Sequence, residues 1–359
     1  MGAQIYNTRG NLAADVRAAF APDYKGEGKR VSSNQPISSR DVYVARRTIA
    51  PWVRRTPLKL SRALSNLTGA RVYLKLETVH DTGAFKIRGA TNHILNLNDE
   101  GRARGVVTVS TGNHGRAVAY AAKRLGIRAV VCMSELVPGI KVEGVRDLGA
   151  EVRIVGKSQD DAEVEADRLI AQEGLIPVHP FDDPHVIAGQ GTIGIELLED
   201  LPEIDTVIVP LSGGGLMGGI ALALKSACAD IRVIGVSMER GPGMIESIRA
   251  GKPVPVEERG TLADSLGGGI GLENKYTFEL VRRFVDEFLV VDEAQIADGM
   301  RQLYRGDHLV AEGGASVGVA ALIAGLVREP EGNIVCVVSG ANVDMDKFTR
   351  IVNGDYTEE

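Results

Sequence analysis

The stretch "TVIVPLSGGGLMGG", residues 206–219, decides how the rest of the chain is read. "TVIVP" is a continuous apolar run, the composition of a strand covered on both faces. Three consecutive glycines follow, Gly213, Gly214 and Gly215, and a helix is expected beyond them. A glycine turn between strand and helix presents a ring of backbone N–H groups, from Ser212 to Leu216, to whatever sits over the helix axis. That is an anion cradle, most simply for a phosphate. It lacks the lysine of a Walker A loop and does not match G-x-G-x-x-G with a ribose-binding acid, which favours a compact monophosphate over a nucleotide. A merely flexible turn is the competing reading.

The same alternation recurs outward from this stretch. "RVYLKL", "VVTVS", "RAVVCM", "EVRIV", "RVIGVS", "FLVV" and "NIVCVVS" read as strands, and "HGRAVAYAAKRLG", "DAEVEADRLIAQEG" and "ASVGVAALIAGLV" as helices between them. The expected fold is α/β, with two open parallel or mixed sheets and helices on both faces. In such sheets ligands bind beyond the carboxyl ends of the strands. A small domain is expected over residues 105–180, and a large domain over 39–104 and 181–359. Residues 1–38 are polar and irregular, a loop or arm without recognisable chemistry. From Ser39 a helical pattern runs through "RDVYVARRTIAPWVRR" until "TPL" breaks it. The portion "ARRTIAPWVRR" reads as a solvated face, and "EVEADRLIAQE" as an exposed helix.

Composition narrows the function. The chain of 359 residues is 44% apolar and 25% charged, with a formal net charge of -6. It carries no basic footprint for nucleic acid or an anionic membrane. No apolar run reaches the roughly 18 residues of a spanning helix, and no signal pattern opens the chain, so the cytoplasm is the expected compartment. Cys132, Cys228 and Cys336 lie far apart in apolar or alanine-rich settings and read as buried, reduced thiols. Glycine is abundant at 43 residues while aromatics are 4%, consistent with many tight turns around a ligand.

Two further loops follow strands. "STGNHG", Ser110 to Gly115, succeeds "VVTV". Its small residues leave N–H groups free for a carboxylate where a helix begins, and the Asn113 amide can hold a phenolic or carbonyl oxygen. A plain cap by Ser110 or Thr111 is the alternative. "SGANVD", residues 339–344, follows "NIVCV" and places Ser339 at a strand end. Lys86 stands in "DTGAFKIRGA", residues 81–90, a setting that no surface lysine needs. Pyridoxal phosphate requires a Schiff-base lysine, a phosphate cradle, a ring-nitrogen partner and a donor for its 3′-oxygen. Lys86, the Ser212–Leu216 loop, Ser339 and Asn113 supply these.

The arrangement resembles the fold-type II pyridoxal-phosphate enzymes (tryptophan synthase β-like), within them the threonine dehydratase and serine racemase group. The motifs in order are Phe85-Lys86-Ile87-Arg88-Gly89-Ala90, Ser110-Thr111-Gly112-Asn113-His114, "HPFDDPHVIAGQGT" (179–192) and Ser339-Gly340-Ala341-Asn342. The likeness spans about residues 40 to 350. It implies that Lys86 carries the cofactor, that Phe85 lies beside it, and that Ser110, Thr111, Gly112, Asn113 and His114 hold the substrate. Members that bind a divalent cation place acidic residues where this chain has Ser237 and Gly243, so no metal is expected. The regulatory domain of biosynthetic threonine dehydratases is expected to be absent. "GVSMERG" and "LADSLGGGIG" resemble the branch of hydroxyectoine-utilisation dehydratases, and phenylserine dehydratases are similar.

The activity implied is a dehydratase, an ammonia-lyase that converts a β-hydroxy amino acid to a 2-oxo acid and ammonia. Lys86 would take the Cα proton, and Thr111 or the cofactor phosphate would protonate the departing hydroxyl. Ser339 supports elimination, since a serine cannot stabilise a protonated ring nitrogen by charge. Racemisation shares the first proton abstraction, with Thr111 at the position of the opposite-face residue, and β-replacement shares the fold. A catalytically inactive ligand-binding protein is hard to reconcile with Lys86. The expected partners are a small amino-acid substrate and further copies of the chain in a dimer or tetramer. His179 and His185 are expected to hold loop structure.

Overall fold

Ten strands build the frame that the site hangs on. They are β1 (Leu58–Leu60), β2 (Arg71–Leu76), β3 (Val106–Val109), β4 (Ala129–Met133), β5 (Glu151–Ile154), β6 (Ile176–Pro177), β7 (Thr206–Pro210), β8 (Arg232–Met238), β9 (Glu287–Val291) and β10 (Asn333–Val338). The computed structural model describes residues 37–110, 112–137 and 139–355. The expected arm over residues 1–38 lies outside them except for its last two residues, and so does Thr111.

The strands form a six-stranded sheet of order β1-β2-β10-β7-β8-β9 and a four-stranded sheet of order β5-β4-β3-β6. Pairing is parallel throughout except between β1 and β2. In β7, Val207, Ile208 and Val209 are fully buried, as helices on both faces require. The chain enters the second sheet at β3 and leaves it after β6, so residues 106–177 supply all four of its strands.

Three helices set the spacing of the site. The Pro184–Asp200 helix begins with Asp183 accepting from the Val186 N–H and with proline in its first turn. It lies between the Lys86–Leu95 helix and the Gly215–Ala227 helix, and glycines meet on both sides. A Cβ on Gly189 would lie 2.7 Å from the Arg88 carbonyl oxygen, and one on Gly219 would lie 2.4 Å from that of Ile187. Backbone therefore packs on backbone at both crossings.

Five points of the sequence reading needed correction. β1 and β6 were not foreseen, because two- or three-residue strands show no period. The first helix ends at Ile49, not at Arg55, since Pro51 lacks an N–H and its ring blocks the turn before it. "ARRTIAPWVRR" is not simply a solvated face: Ala45, Ile49 and Val53 are buried, and Arg55 pairs with Glu199 and Asp200. In the Gln159–Glu173 helix, Ala166 and Leu169 pack with Val107, Val130 and Cys132, leaving only its other side exposed. Cys132 and Cys336 are buried, but Cys228 is exposed, because it caps the helix end where the apolar run stops.

Candidate active site

The turn that carries Lys86 is stitched to the end of β10. Ala84 bridges Gly340, the Phe85 N–H donates to the Ser339 carbonyl at 3.0 Å, and the Ala341 N–H donates to Gly83 at 2.8 Å. Lys86 opens the helix Lys86–Leu95. Its Nζ donates to the Pro180 carbonyl at 2.7 Å and stands 5.4 Å from the centroid of the Phe85 ring. The surrounding protein strips water from this amine and pulls its pKa down to about 8, against the opposing pull of Glu312.

Two residues on from the lysine, Arg88 anchors the same helix. It makes a paired contact with Glu77 (Nε 2.7 Å, Nη2 2.9 Å) and another with Glu196 (Nη1 2.8 Å, Nη2 2.9 Å). Lys75 Nζ also reaches Glu196 at 2.8 Å. All four side chains are almost fully buried. Burial works to raise the Glu77 pKa, but Arg88 and His80 outweigh it and hold it well below the usual range. The cluster ties the lysine helix to β2 and to the Pro184–Asp200 helix.

The glycine loop faces this turn across residues 179–183. The Phe181 ring lies on it: a Cβ on Gly213 would be 2.3 Å from a ring carbon. Gly214 has a φ of 88°, open to glycine at little cost. The N–H groups of Gly213, Gly214 and Gly215 have no acceptor among the described residues. Three anchors hold the covering loop. His179 Nδ1 accepts from the Asp182 N–H at 2.8 Å, Asp182 accepts from residues 275–277, and Asp183 caps the next helix.

From the other sheet comes the Asn113–Leu125 helix after β3. Asn113 Nδ2 donates to Glu312 at 2.8 Å, and Asn113 Oδ1 accepts from Asn342 Nδ2 at 2.6 Å. His114 Nε2 donates to the Val178 carbonyl at 2.9 Å, and its buried Nδ1 has no partner. Burial first, and Lys86 second, lower the His114 pKa to about 3, so the ring is neutral and that nitrogen is an acceptor. Ser110 and Gly112 flank the same turn, with the Gly112 N–H 3.4 Å from Ser110 Oγ. Ser339 is buried, and its hydroxyl has no hydrogen-bond partner among the described residues.

Phe85, Lys86, Asn113, His114, Ser339 and the glycine loop are thus linked through Pro180, Phe181 and Glu312, with Ser110 and Gly112 next to Asn113. Glu312 was missed. Burial raises its pKa to about 7, Asp264 adds to that, and the Ser265 hydroxyl, the Asn113 amide and the Asn342 N–H pull it partway back. A single acid inside the small, apolar run "VAEGGASVGV" was the available signal.

Comparison with known proteins agrees with this geometry. The pattern described as "Pyridoxal-phosphate dependent enzyme" matches residues 49–340. The chain belongs to that family. A Sinorhizobium fredii protein described as a putative threonine dehydratase is 52% identical over 318 residues, 89% of this chain and 96% of its own. The Thermotoga maritima L-threonine ammonia-lyase is 45% identical, over 88% of this chain and 78% of its own. Maize serine racemase superposes with a TM-score of 0.82 at 35% identity, covering 89% of this chain and 98% of that one. Threonine deaminase isoform 2 of Solanum lycopersicum gives 0.81 at 33% identity, covering 89% and 95%.

The site of this pyridoxal-phosphate enzyme suits its cofactor on its own chemistry. Three orphaned N–H groups suit a phosphate, the unpartnered Ser339 hydroxyl suits a neutral ring nitrogen, and the partly desolvated Lys86 amine suits an aldehyde. Among the described residues no group of three or more His, Cys, Asp or Glu could hold a metal ion, and no helix is long and apolar enough to cross a membrane.

Proposed function

We propose that the protein is a pyridoxal-phosphate-dependent hydroxy-amino-acid ammonia-lyase, and that each group in the cleft has one task in β-elimination. The observation that carries the reading is the Lys86 amine, held at Pro180 with its pKa near 8, between the glycine loop and the end of β10. The bound cofactor supplies a conjugated ring that acidifies the substrate Cα–H. Lys86 would hold the cofactor and, as a neutral amine, would take that proton. The N–H groups from Ser212 to Leu216 would hold its phosphate, Phe85 would stand beside its ring, Ser339 would serve its ring nitrogen and Asn113 its 3′-oxygen.

The first turn of the Asn113–Leu125 helix, with Ser110, Gly112, Asn113 and His114, orients the substrate carboxylate. Thr111, outside the described residues, is assigned the proton for the departing hydroxyl. The division into a small domain over residues 105–180 and a large one over 39–104 and 181–359 belongs to this proposal, supported by the second sheet lying wholly within the former. A cytoplasmic homo-oligomer, dimer or tetramer, is supported by the family resemblance.

Sodium borohydride reduction of the purified protein, followed by peptide mass analysis, tests the attachment: the pyridoxyl mass belongs on Lys86. Assaying 2-oxo acid release from serine, threonine, 3-hydroxyaspartate and phenylserine then identifies the substrate. Release from none of them, with inversion at Cα instead, would move the assignment to a racemase.

A further inference from the structure

The Asn113 amide has one acceptor and two N–H donors, and the structure accounts for all but one of them. Its oxygen receives Asn342 Nδ2 at 2.6 Å, and Asn342 Nδ2 also reaches the Thr82 carbonyl at 2.8 Å. One N–H goes to the Glu312 carboxyl at 2.8 Å. The second N–H has no acceptor among the described residues. Turning the amide over would set its oxygen against the Glu312 carboxylate and its NH2 against that of Asn342, so both neighbours oppose the flip. Glu312 is itself fixed. It is 3% exposed, its N–H donates to the Gly340 carbonyl at 3.1 Å, and a Cβ on Gly340 would lie 2.7 Å from Glu312 Oε1.

Resting on the cofactor reading above, we propose that Glu312 is a positioning residue that locks the Asn113 amide as a donor toward the cofactor's 3′-oxygen, with Asn342 holding the opposite end. An unconstrained asparagine can present either its oxygen or its NH2 to a ligand. A phenolic oxygen needs a donor, and Glu312 selects it. Glu312 would reach the 3′-oxygen through Asn113, and Asn342 joins this pair to the Lys86 turn through Thr82.

The test compares binding of pyridoxal 5′-phosphate with that of its 3-deoxy analogue, which lacks the 3′-oxygen, by equilibrium dialysis against the full chain freed of cofactor. Glu312→Ala should weaken pyridoxal phosphate about tenfold, the loss of one aligned hydrogen bond, and leave the deoxy analogue unchanged. Glu312→Gln, whose amide oxygen still accepts from Asn113, should recover most of the affinity. In an Asn113→Ala background Glu312→Ala should add nothing. If Glu312→Ala does not fold, Asn342→Ala should show the same preference. Equal losses for both aldehydes, or additive losses in the double variant, would overturn the positioning role while leaving the cofactor intact. Failure of the parent chain to bind either aldehyde would overturn the function reading and this one with it.

Discussion

The Phe181 ring lies across Gly213 so closely that a single added methyl would sit 2.3 Å from a ring carbon. Gly213→Ala must therefore displace the ring or the loop, and it should weaken pyridoxal-phosphate binding by at least about tenfold, the scale of one disturbed charge-assisted contact. Phe181→Ala in the same chain removes the obstruction. The double variant should bind more tightly than Gly213→Ala alone, measured by cofactor titration. A double variant no better than the single one would mean that the methyl acts on the phosphate directly.

Lys86→Ala should abolish 2-oxo acid release and the cofactor absorbance that comes from attachment, while the unfolding midpoint in urea stays close to that of the parent. The same lysine sets a pH dependence. Only the neutral amine attacks an aldehyde, and burial has brought its pKa from 10.5 to about 8. The rate of cofactor incorporation into the stripped chain should climb as pH rises and level off above about 8. A rate still climbing at pH 10 would show an ordinary, solvated lysine.

Arg88→Met should leave Glu77 and Glu196 buried with less compensating charge, since Lys75 alone remains beside Glu196. Breaking a buried pair in this way costs about 3–5 kcal/mol. Urea unfolding should register a loss of that size, and the variant should also show a lower rate of incorporation at Lys86, because its helix is no longer tied down.

His114 makes the folded chain sensitive to acid. Its folded pKa is about 3 against an ordinary 6.5, so the unfolded chain binds the extra proton between those values. The cost is absent above about pH 6.5, grows as pH falls, and is complete below about 3. Glu312 acts in the opposite sense, since its raised pKa near 7 means that the folded chain takes up the proton first as pH falls from 7 toward 4.5. His114→Gln should therefore resist acid unfolding better than the parent between pH 6 and 4, and Glu312→Gln should resist it less well when each is compared with its own stability at pH 7. Parallel curves for His114→Gln and the parent would contradict a neutral buried ring.

Much of this was legible in the residues, for identifiable reasons. β7 and β10 are rich in β-branched residues, which favours strand at both, and the loops after them carry glycine and serine. Lys86 and Asn113 announced themselves by motif. Glu312 did not, because one acid ahead of a glycine-rich helix reads as an ordinary N-terminus, and its importance lies in contacts with residues 113 and 342 that only folding creates. The same holds for the Arg88 cluster, whose carboxylates come from positions 77 and 196. β1 and Cys228 escaped because short strands and helix ends lack periodicity.

The glycine crossings on either side of the Pro184–Asp200 helix make that helix a gauge block. The lysine helix rests against one of its sides at Gly189, and the phosphate-loop helix rests against another at Gly219, each with backbone touching backbone. At these two points backbone meets backbone, and the side chains of Gln190 and Val186 pack against Gly89 beside the first of them. The distance from the amine to the phosphate cradle is thereby machined into the thickness of one helix, and substrate preference can be altered around the cleft while the cofactor's seat keeps its length.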